Sequence, residues 1–346
     1  MSKPCFVLER DKLAHNLQHL HTLSQKTGVH WLFTLKAFDA PEALKMIAQT
    51  LHGFSIGNLT EEAKVAPYPT HRHSYAPVFY EEEVITLAQQ SQTLSFNSLA
   101  QWHRYAPLCR EHCSLGLRIN PQLSLKQPSY CDSNYSRLGV RYRAFLSHTP
   151  LLEGLEGLHF HPFCYQNADA LEQLFTHIEY HYASLLPSLQ WLNLGGGQQF
   201  TSKSYDTEHF IHLVNTFHSR YPHLKLYFEP ASAVLHQCGY FQCKVMDMIP
   251  HEETTIVILN TSIETHLLDV AITHYLPSVQ HTSTHPTPYH YTLAGMSCIA
   301  GDTIGTYYFT HPLAIGDSII FENMLAYTLV KQTHFNGLAP APLKVI

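Results

Sequence analysis

The chain has 346 residues, 45% hydrophobic and 14% charged, enough apolar material for one large domain or two ordinary ones and too much for an intrinsically disordered chain. Its formal charge of −6 lacks the excess of Lys and Arg that a nucleic-acid groove needs, and it favours cationic partners. No apolar run approaches a membrane span, MSKPCFVLERDK shows no signal peptide, and eight scattered cysteines form no CxxC pair, so a cytoplasmic chain with reduced thiols and no membrane partner is expected.

Up to about residue 235, short apolar runs alternate with helical stretches. Strands are expected near 30–35, 51–56, 74–79, 93–97, 115–120, 156–161, 191–195 and 225–230. Between the sixth and seventh, Leu171, Leu174, Phe175, Ile178, Tyr182 and Leu185 recur at helical spacing and mark one face. Eight β–α units suit a TIM (β/α)8 barrel over residues 11–235, with a doubly wound sheet as the competing arrangement. Beyond 235 the helical period fades. FQCKVMDM (241–248), TTIVILN (254–260), HYTLAGM (290–296), TIGTYYF (303–309) and DSIIFENM (317–324) predict a β-rich, β-barrel-like domain over 236–346, joined by a strand within 1–10.

A barrel carries its chemistry at the C-terminal ends of its strands. Lys36 in LFTLKAF closes the first strand, His161 in GLHFHPF the sixth, Gly195–Gly197 in NLGGGQQF follow the seventh, and Glu229 in YFEPAS closes the eighth. Each has a plain alternative. Lys36 reads either as a snorkelling lysine or as an amine whose burial readies it for imine formation. The three glycines read as a turn or as a nest of N–H groups around a phosphate. His161 reads as a packed core ring or as a ring stacked on a flat cofactor, and Glu229 as a satisfied structural acid or as the partner of a ring nitrogen. The 27 histidines include the i,i+4 pairs His15/His19 and His177/His181, but no Cys or carboxylate set converges on either, so no metal centre is expected.

Taken together, an amine for an aldehyde, a nest for a phosphate, a flat ring partner and an acid for a pyridine nitrogen describe pyridoxal 5′-phosphate. An acid at that nitrogen keeps it protonated, which suits a reaction that leaves a carbanion on the substrate α-carbon, as decarboxylation does.

Here the sequence resembles the fold type III decarboxylases, the group containing ornithine and diaminopimelate decarboxylases, and within it the carboxynorspermidine (carboxyspermidine) decarboxylase family. The resemblance runs over nearly the whole chain: LKAF at 35–38, INP at 119–121, SRLGV at 136–140, GLHFH at 157–161, LNLGGG at 192–197, FEP at 228–230, TS…H…DV at 261–270, SCIAGD at 297–302, and AYT with VK and FNG at 326–337. It implies that Lys36 is the Schiff-base lysine and that His161 stacks on the pyridoxal ring. Gly195, Gly196 and Gly197 would hold the phosphate with the hydroxyl of Tyr327, Glu229 would pair with the pyridine nitrogen, and Arg137 would lie near the cofactor. It also implies a head-to-tail homodimer in which Cys298 comes from the other subunit and protonates the carbanion, while Asp302 and Asp269 receive the amino groups of the substrate tail. A free thiol, mostly protonated at neutral pH, suits that acid role, and a small buried hydrophobe is its ordinary alternative.

The chain departs from the family at Ala231 in place of Gly, at Pro162 and Tyr165 after HFH, where an acid is expected at 165, at Asn260 in place of Asp, and at Met296 before Ser297. The cofactor residues are intact. The sequence therefore predicts a pyridoxal phosphate-dependent decarboxylase acting on an L-α-amino acid with a cationic tail, carboxynorspermidine or carboxyspermidine being the best match. Two alternatives stand beside it: another amino acid decarboxylase of the same fold, such as one for diaminopimelate, and a catalytically silent relative that binds a partner.

Overall fold

The computed structural model describes residues 2–123, 125, 136–252 and 254–346. The chain divides into two units: Ala14–Val234, and Met1–Leu13 with Leu235–Ile346.

β1 (Cys5–Leu8) belongs to the second unit, and α1 (Arg10–Thr27) follows it. The first unit then runs β2 (His30–Thr34), α2 (Pro41–Thr50), β3 (Gly53–Ile56), α3 (Leu59–Val65), β4 (His71–Tyr75), α4 (Glu81–Gln90), β5 (Thr93–Phe96) and α5 (Leu99–Cys109). Next come β6 (Ser114–Asn120), a short β7 (Val140–Arg141), α6 (Tyr142–His148), β8 (Gly157–Phe160), α7 (Ala168–Tyr182), β9 (Trp191–Asn193), α8 (Thr207–Arg220) and β10 (Lys225–Phe228). Eight of these strands pair in parallel as β2–β3–β4–β5–β6–β8–β9–β10, and β10 pairs back to β2, which closes a barrel. β7 adds to the outside of β6.

Local sequence explains the helices. Asn58, Ser98 and Asp206 accept backbone N–H groups and start α3, α5 and α8, as side-chain caps do. The predicted face of α7 is buried from Leu171 to Tyr182, while Leu185 lies past the helix end and is half-buried; Phe175 on that face stacks on Phe217 of α8 at 4.3 Å.

The third barrel strand differs from expectation. It spans His71–Tyr75, not 74–79, and Val78 in the apolar run is 72% exposed. HRHSY reads as polar because it supplies polar side chains to the barrel interior, where His73 is fully buried. Near the strand starts the interior is filled by Trp191, Tyr227 and Leu32, and by His71, which stacks on Tyr227 at 4.9 Å. Gly157 makes room there: a Cβ would lie 2.0 Å from the Trp191 ring. Nearer the strand ends come His73, His159 and Glu229. Part of the histidine content is therefore barrel filling rather than surface.

The first unit ends in α9 (Ala231–Leu235), and the second then runs β11 (Gly239–Pro250), β12 (Thr255–Leu259), α10 (Ile263–His266), α11 (Leu268–Thr273), β13 (Thr282–Ser283), β14 (Tyr289–Ala294), β15 (Thr303–Phe309), β16 (Ser318–Glu322) and β17 (Leu343–Val345). With β1 they form one mixed sheet in the order β13-β15-β14-β12-β11-β1-β17, with β16 also on β11. β1 lies between β11 and β17, and its Phe6 packs on Phe241 at 4.8 Å. Among the described residues no helix is long and apolar enough to cross a membrane.

Candidate active site

In the barrel unit, Lys36, His161, Gly195–Gly197 and Glu229 all follow the C-terminal ends of strands. Lys36 corrects one expectation. β2 ends at Thr34, and the lysine sits in a single 3-10 turn, Leu35–Ala37, that buries Leu35 and Ala37 and leaves Lys36 exposed. The apolar run is buried without its ammonium group. The charge of Lys36 acts on His161 and on Glu61. Glu61 was not foreseen from sequence; its carboxylate accepts the Gly57 N–H at 2.7 Å, and burial pushes it up against the pull of that N–H and of Lys36.

Glu229 is 4% exposed. Asn193 Nδ2 donates to its Oε1 at 2.9 Å, His161 Nδ1 lies 3.7 Å from Oε2, and His159 Nε2 lies 3.9 Å from Oε1. Burial alone would push the carboxyl up; the imidazoles of His159, His161 and His73 offset it, and the carboxyl is held well below the usual range. The rings move the other way. Burial takes His161 and His73 down to about 4 and His159 well below its ordinary value, although Glu229 pulls each upward. At neutral pH the site is a carboxylate among neutral rings. The Gly196 N–H donates to His161 Nδ1 at 3.3 Å, as a neutral ring permits.

The glycines are dictated by close approach. A Cβ on Gly196 would lie 2.2 Å from the Glu229 carbonyl, and one on Gly197 2.2 Å from the Phe163 carbonyl; Gly195 and Gly197 also have φ of +69° and +91°. Of their N–H groups, Gly195 donates to Asn193 Oδ1 and Gly196 to His161, so two point inward; Gly197 alone of the three is partly exposed. The cradle, the buried acid and the nearby amine fit pyridoxal phosphate.

Arg137 is exposed, and its carbonyl accepts Asn97 Nδ2 at 2.9 Å; Asn97 Oδ1 takes the Gly139 N–H and the Tyr75 hydroxyl, which anchors SRLG. Arg118, buried and 4.6 Å over the Tyr75 ring, adds a positive charge that acts on His159 and His161. Asn97, Asn193 and Arg118 were missed from sequence, and His159 was noted within HFH without a role, since each acts through partners far away in the chain or on neighbouring segments. Only Asn193, two residues before GGG, carried a positional signal.

His73, His159 and Glu229 are the one described group with the composition of a metal site. His73 Nδ1 is 2.8 Å from Thr93 Oγ1, its Nε2 is 3.4 Å from His159 Nδ1, and Asn193 holds Glu229, so the group reads as a packed polar layer. Of the i,i+4 pairs, His19 Nε2 is 3.0 Å from the Phe200 carbonyl, and His177 and His181 pack on Tyr142.

The remaining predicted residues lie in the sheet unit. Cys298 is exposed in the loop 295–302. Asp269 is ion-paired with Lys331, whose ammonium lies 5.4 Å over the Tyr327 ring. Tyr327 has a left-handed φ of +64°, uncommon for a non-glycine residue and costly to hold. Asp302 corrects a second expectation. It was expected to receive an ammonium of the substrate tail, but it is 4% exposed and both its oxygens accept backbone and hydroxyl donors of its own unit.

The departures are accommodated. Ala231 is buried at the start of α9 without a positive φ, so the backbone does not require glycine there. Asn260 accepts the Lys244 N–H at 2.7 Å and donates to the Ser2 carbonyl at 2.9 Å. Tyr165 is 66% exposed, Pro162 is buried and Met296 is exposed.

Residues 12–324 match the family described as pyridoxal-dependent decarboxylase, C-terminal sheet domain. The chain is 36% identical to the carboxyaminopropylagmatine decarboxylase of Synechocystis over 98% of its own length and 88% of that protein's. It is likewise 36% identical to the carboxynorspermidine/carboxyspermidine decarboxylase of Campylobacter jejuni, over 97% of this chain and 90% of that one. The crystal structure of the C. jejuni carboxynorspermidine decarboxylase complexed with norspermidine superposes with a TM-score of 0.91 at 35% identity, covering 100% of this chain and 94% of that one. Lysine decarboxylase from Selenomonas ruminantium shares the fold, with a TM-score of 0.83 at 19% identity, covering 100% of this chain and 93% of that one.

Proposed function

The chain belongs to the pyridoxal-dependent decarboxylases of fold type III, and from that premise we propose that it is a carboxy-lyase for an L-α-amino acid with a cationic tail, carboxynorspermidine or carboxyspermidine, in polyamine synthesis. The observation that carries this reading is Glu229, an acid buried at the strand ends between Asn193 and His161.

When bound, pyridoxal phosphate supplies an electron sink for the pair left on the α-carbon as carbon dioxide departs. The protein's own residues do the rest. Lys36, exposed beyond β2, would be the amine that holds the cofactor's aldehyde. Glu229 keeps a proton at the pyridine nitrogen, and its low pKa makes it a partner for a cation rather than a neutral acid. His161, fixed as a neutral ring by the Gly196 N–H, offers a flat face and no competing charge. The loop Gly195–Gly197 approaches a phosphate by its backbone, and Arg137 stands by the SRLG turn. Cys298 returns a proton to the α-carbon, in a homodimer where the loop of one subunit serves the barrel of the other. Asp269 takes an ammonium of the tail. The net charge of −6 supports a cationic substrate, and the absence of a long apolar helix among the described residues is compatible with work in the cytoplasm.

A second reading has its own support: the carboxyaminopropylagmatine enzyme of Synechocystis is as similar, and its name implies a tail ending in guanidinium rather than ammonium. A diaminopimelate specificity is less supported, because Lys331, the cation beside Asp269, is already neutralised by it. Carbon dioxide release from carboxynorspermidine, carboxyspermidine, carboxyaminopropylagmatine and diaminopimelate tests the assignment. The reading predicts turnover of the first two; no release from any of the four would overturn it and leave a silent relative.

A further inference from the structure

Two segments far apart in the chain, TSI at 261–263 and SCIAGD at 297–302, meet at one buried carboxylate. Asp302 Oδ1 accepts the Ile263 N–H at 2.8 Å; Oδ2 accepts the Ser297 N–H at 3.0 Å and the Ser297 hydroxyl at 2.6 Å, the short distance of a charge-assisted bond. The backbone follows the same seam. The Gly295 N–H donates to the Asp302 carbonyl at 2.8 Å, and the Met296 N–H to the Thr261 carbonyl at 2.8 Å. Gly295 must be glycine for this closure, since a Cβ would stand 2.2 Å from Asp302 Oδ1.

The loop from Gly295 to Asp302 is therefore pinched shut at its base, while Met296, Cys298 and Ile299 at its crown are exposed. Three donors already occupy the carboxylate, which has about four acceptor sites. A substrate ammonium could reach it only by opening the loop. We propose that Asp302 is the positioning residue of the Cys298 loop, setting where the thiol stands, and is not a ligand of the substrate tail. The catalytic part of this claim rests on the reading of Cys298 as the proton donor; the ordering of the loop does not.

Asp302→Asn is the first variant. Asn can still accept the Ile263 N–H, but its amide group then faces the Ser297 N–H, donor against donor. Ser297→Ala is the second and milder one, removing a single donor and leaving the fold's core untouched. Amide hydrogen exchange of the peptide covering 296–301 in the cofactor-loaded protein should quicken in both variants, at least tenfold in Asp302→Asn. Turnover with the substrate found above should fall in the same order, tenfold or more in Asp302→Asn, with KM within about twofold of the parent.

Unchanged exchange in both variants would overturn the proposal. So would a large rise in KM for Asp302→Asn with Ser297→Ala silent, the signature of a tail ligand. If Cys298→Ala kept full activity, the proton-donor reading would fail by itself, and hydrogen exchange would still decide the ordering role. If Asp302→Asn does not fold, Ser297→Ala carries the test.

Discussion

Asn193 ties the buried acid of the barrel to its glycine loop: its amide Nδ2 donates to Oε1 of Glu229 at 2.9 Å, while its carbonyl accepts the Gly195 N–H at 2.9 Å. One neutral side chain thus fixes both the acid proposed for the ring nitrogen and the loop proposed for the phosphate.

Asn193→Ala removes a donor from a buried carboxylate and an acceptor from the loop, at a cost of about 1–3 kcal/mol for the unsatisfied groups. The expected result is pyridoxal phosphate affinity weakened about tenfold or more in an absorbance titration. Unaltered affinity would show that Glu229 and the loop are held without it.

The barrel histidines make stability depend on pH. Burial lowers His30, His73 and His161 to about 4 and His71 to about 3, against 6.5 unperturbed. Between those values the unfolded chain binds protons that the folded barrel refuses. The contribution is therefore complete above about pH 6.5 and is lost as pH falls toward 4. For His73, fully buried, the loss is about 1.4 kcal/mol per pH unit. The denaturant midpoint should be clearly lower at pH 5 than at pH 7.5; equal midpoints would contradict neutral rings inside the barrel.

Lys331 is ion-paired with Asp269, so on the proposed reading it competes with a cationic tail for that carboxylate. Lys331→Met should lower KM for the polyamine-type substrate two- to fivefold with kcat little changed, since a partly exposed ion pair is worth about 1 kcal/mol at most. A raised KM would mean that the lysine orients Asp269 and does not compete for it.

Arg72 closes the end of α3. Its guanidinium donates to the carbonyls of Val65, Tyr68 and Thr70, and its Nε lies 3.3 Å from the buried Glu62 carboxylate. Arg72→Met leaves the buried Glu62 carboxylate without its cation and takes one donor from each carbonyl, although Val65 and Tyr68 keep the backbone N–H groups of Tyr68 and Thr70; it should cost about 3–5 kcal/mol in denaturant unfolding. A loss under about 1 kcal/mol would show that water replaces it.

Seven barrel strands were legible because each is an apolar run bounded by turn residues. The strand His71–Tyr75 was misplaced because its inward side chains are polar, which no hydrophobicity pattern announces. Residues at strand ends could be nominated one by one from the barrel rule. The network joining them, Asn193 to Glu229 and Asn97 to Tyr75, depends on which strands become neighbours, and a single sequence does not state that. The same gap explains Lys36 and Asp302. Exposure of the first turns on one 3-10 turn, and burial of the second on a contact with Ile263 across the unit.

The central claim is that the amine at position 36 holds the cofactor. The direct measurement is borohydride reduction of the protein with pyridoxal phosphate, followed by digestion and peptide mass analysis. The account predicts a single pyridoxyl phosphate mass on the peptide containing Lys36, with the visible absorbance lost on reduction and no label in Lys36→Ala. Label on another lysine, or none at all, would contradict it.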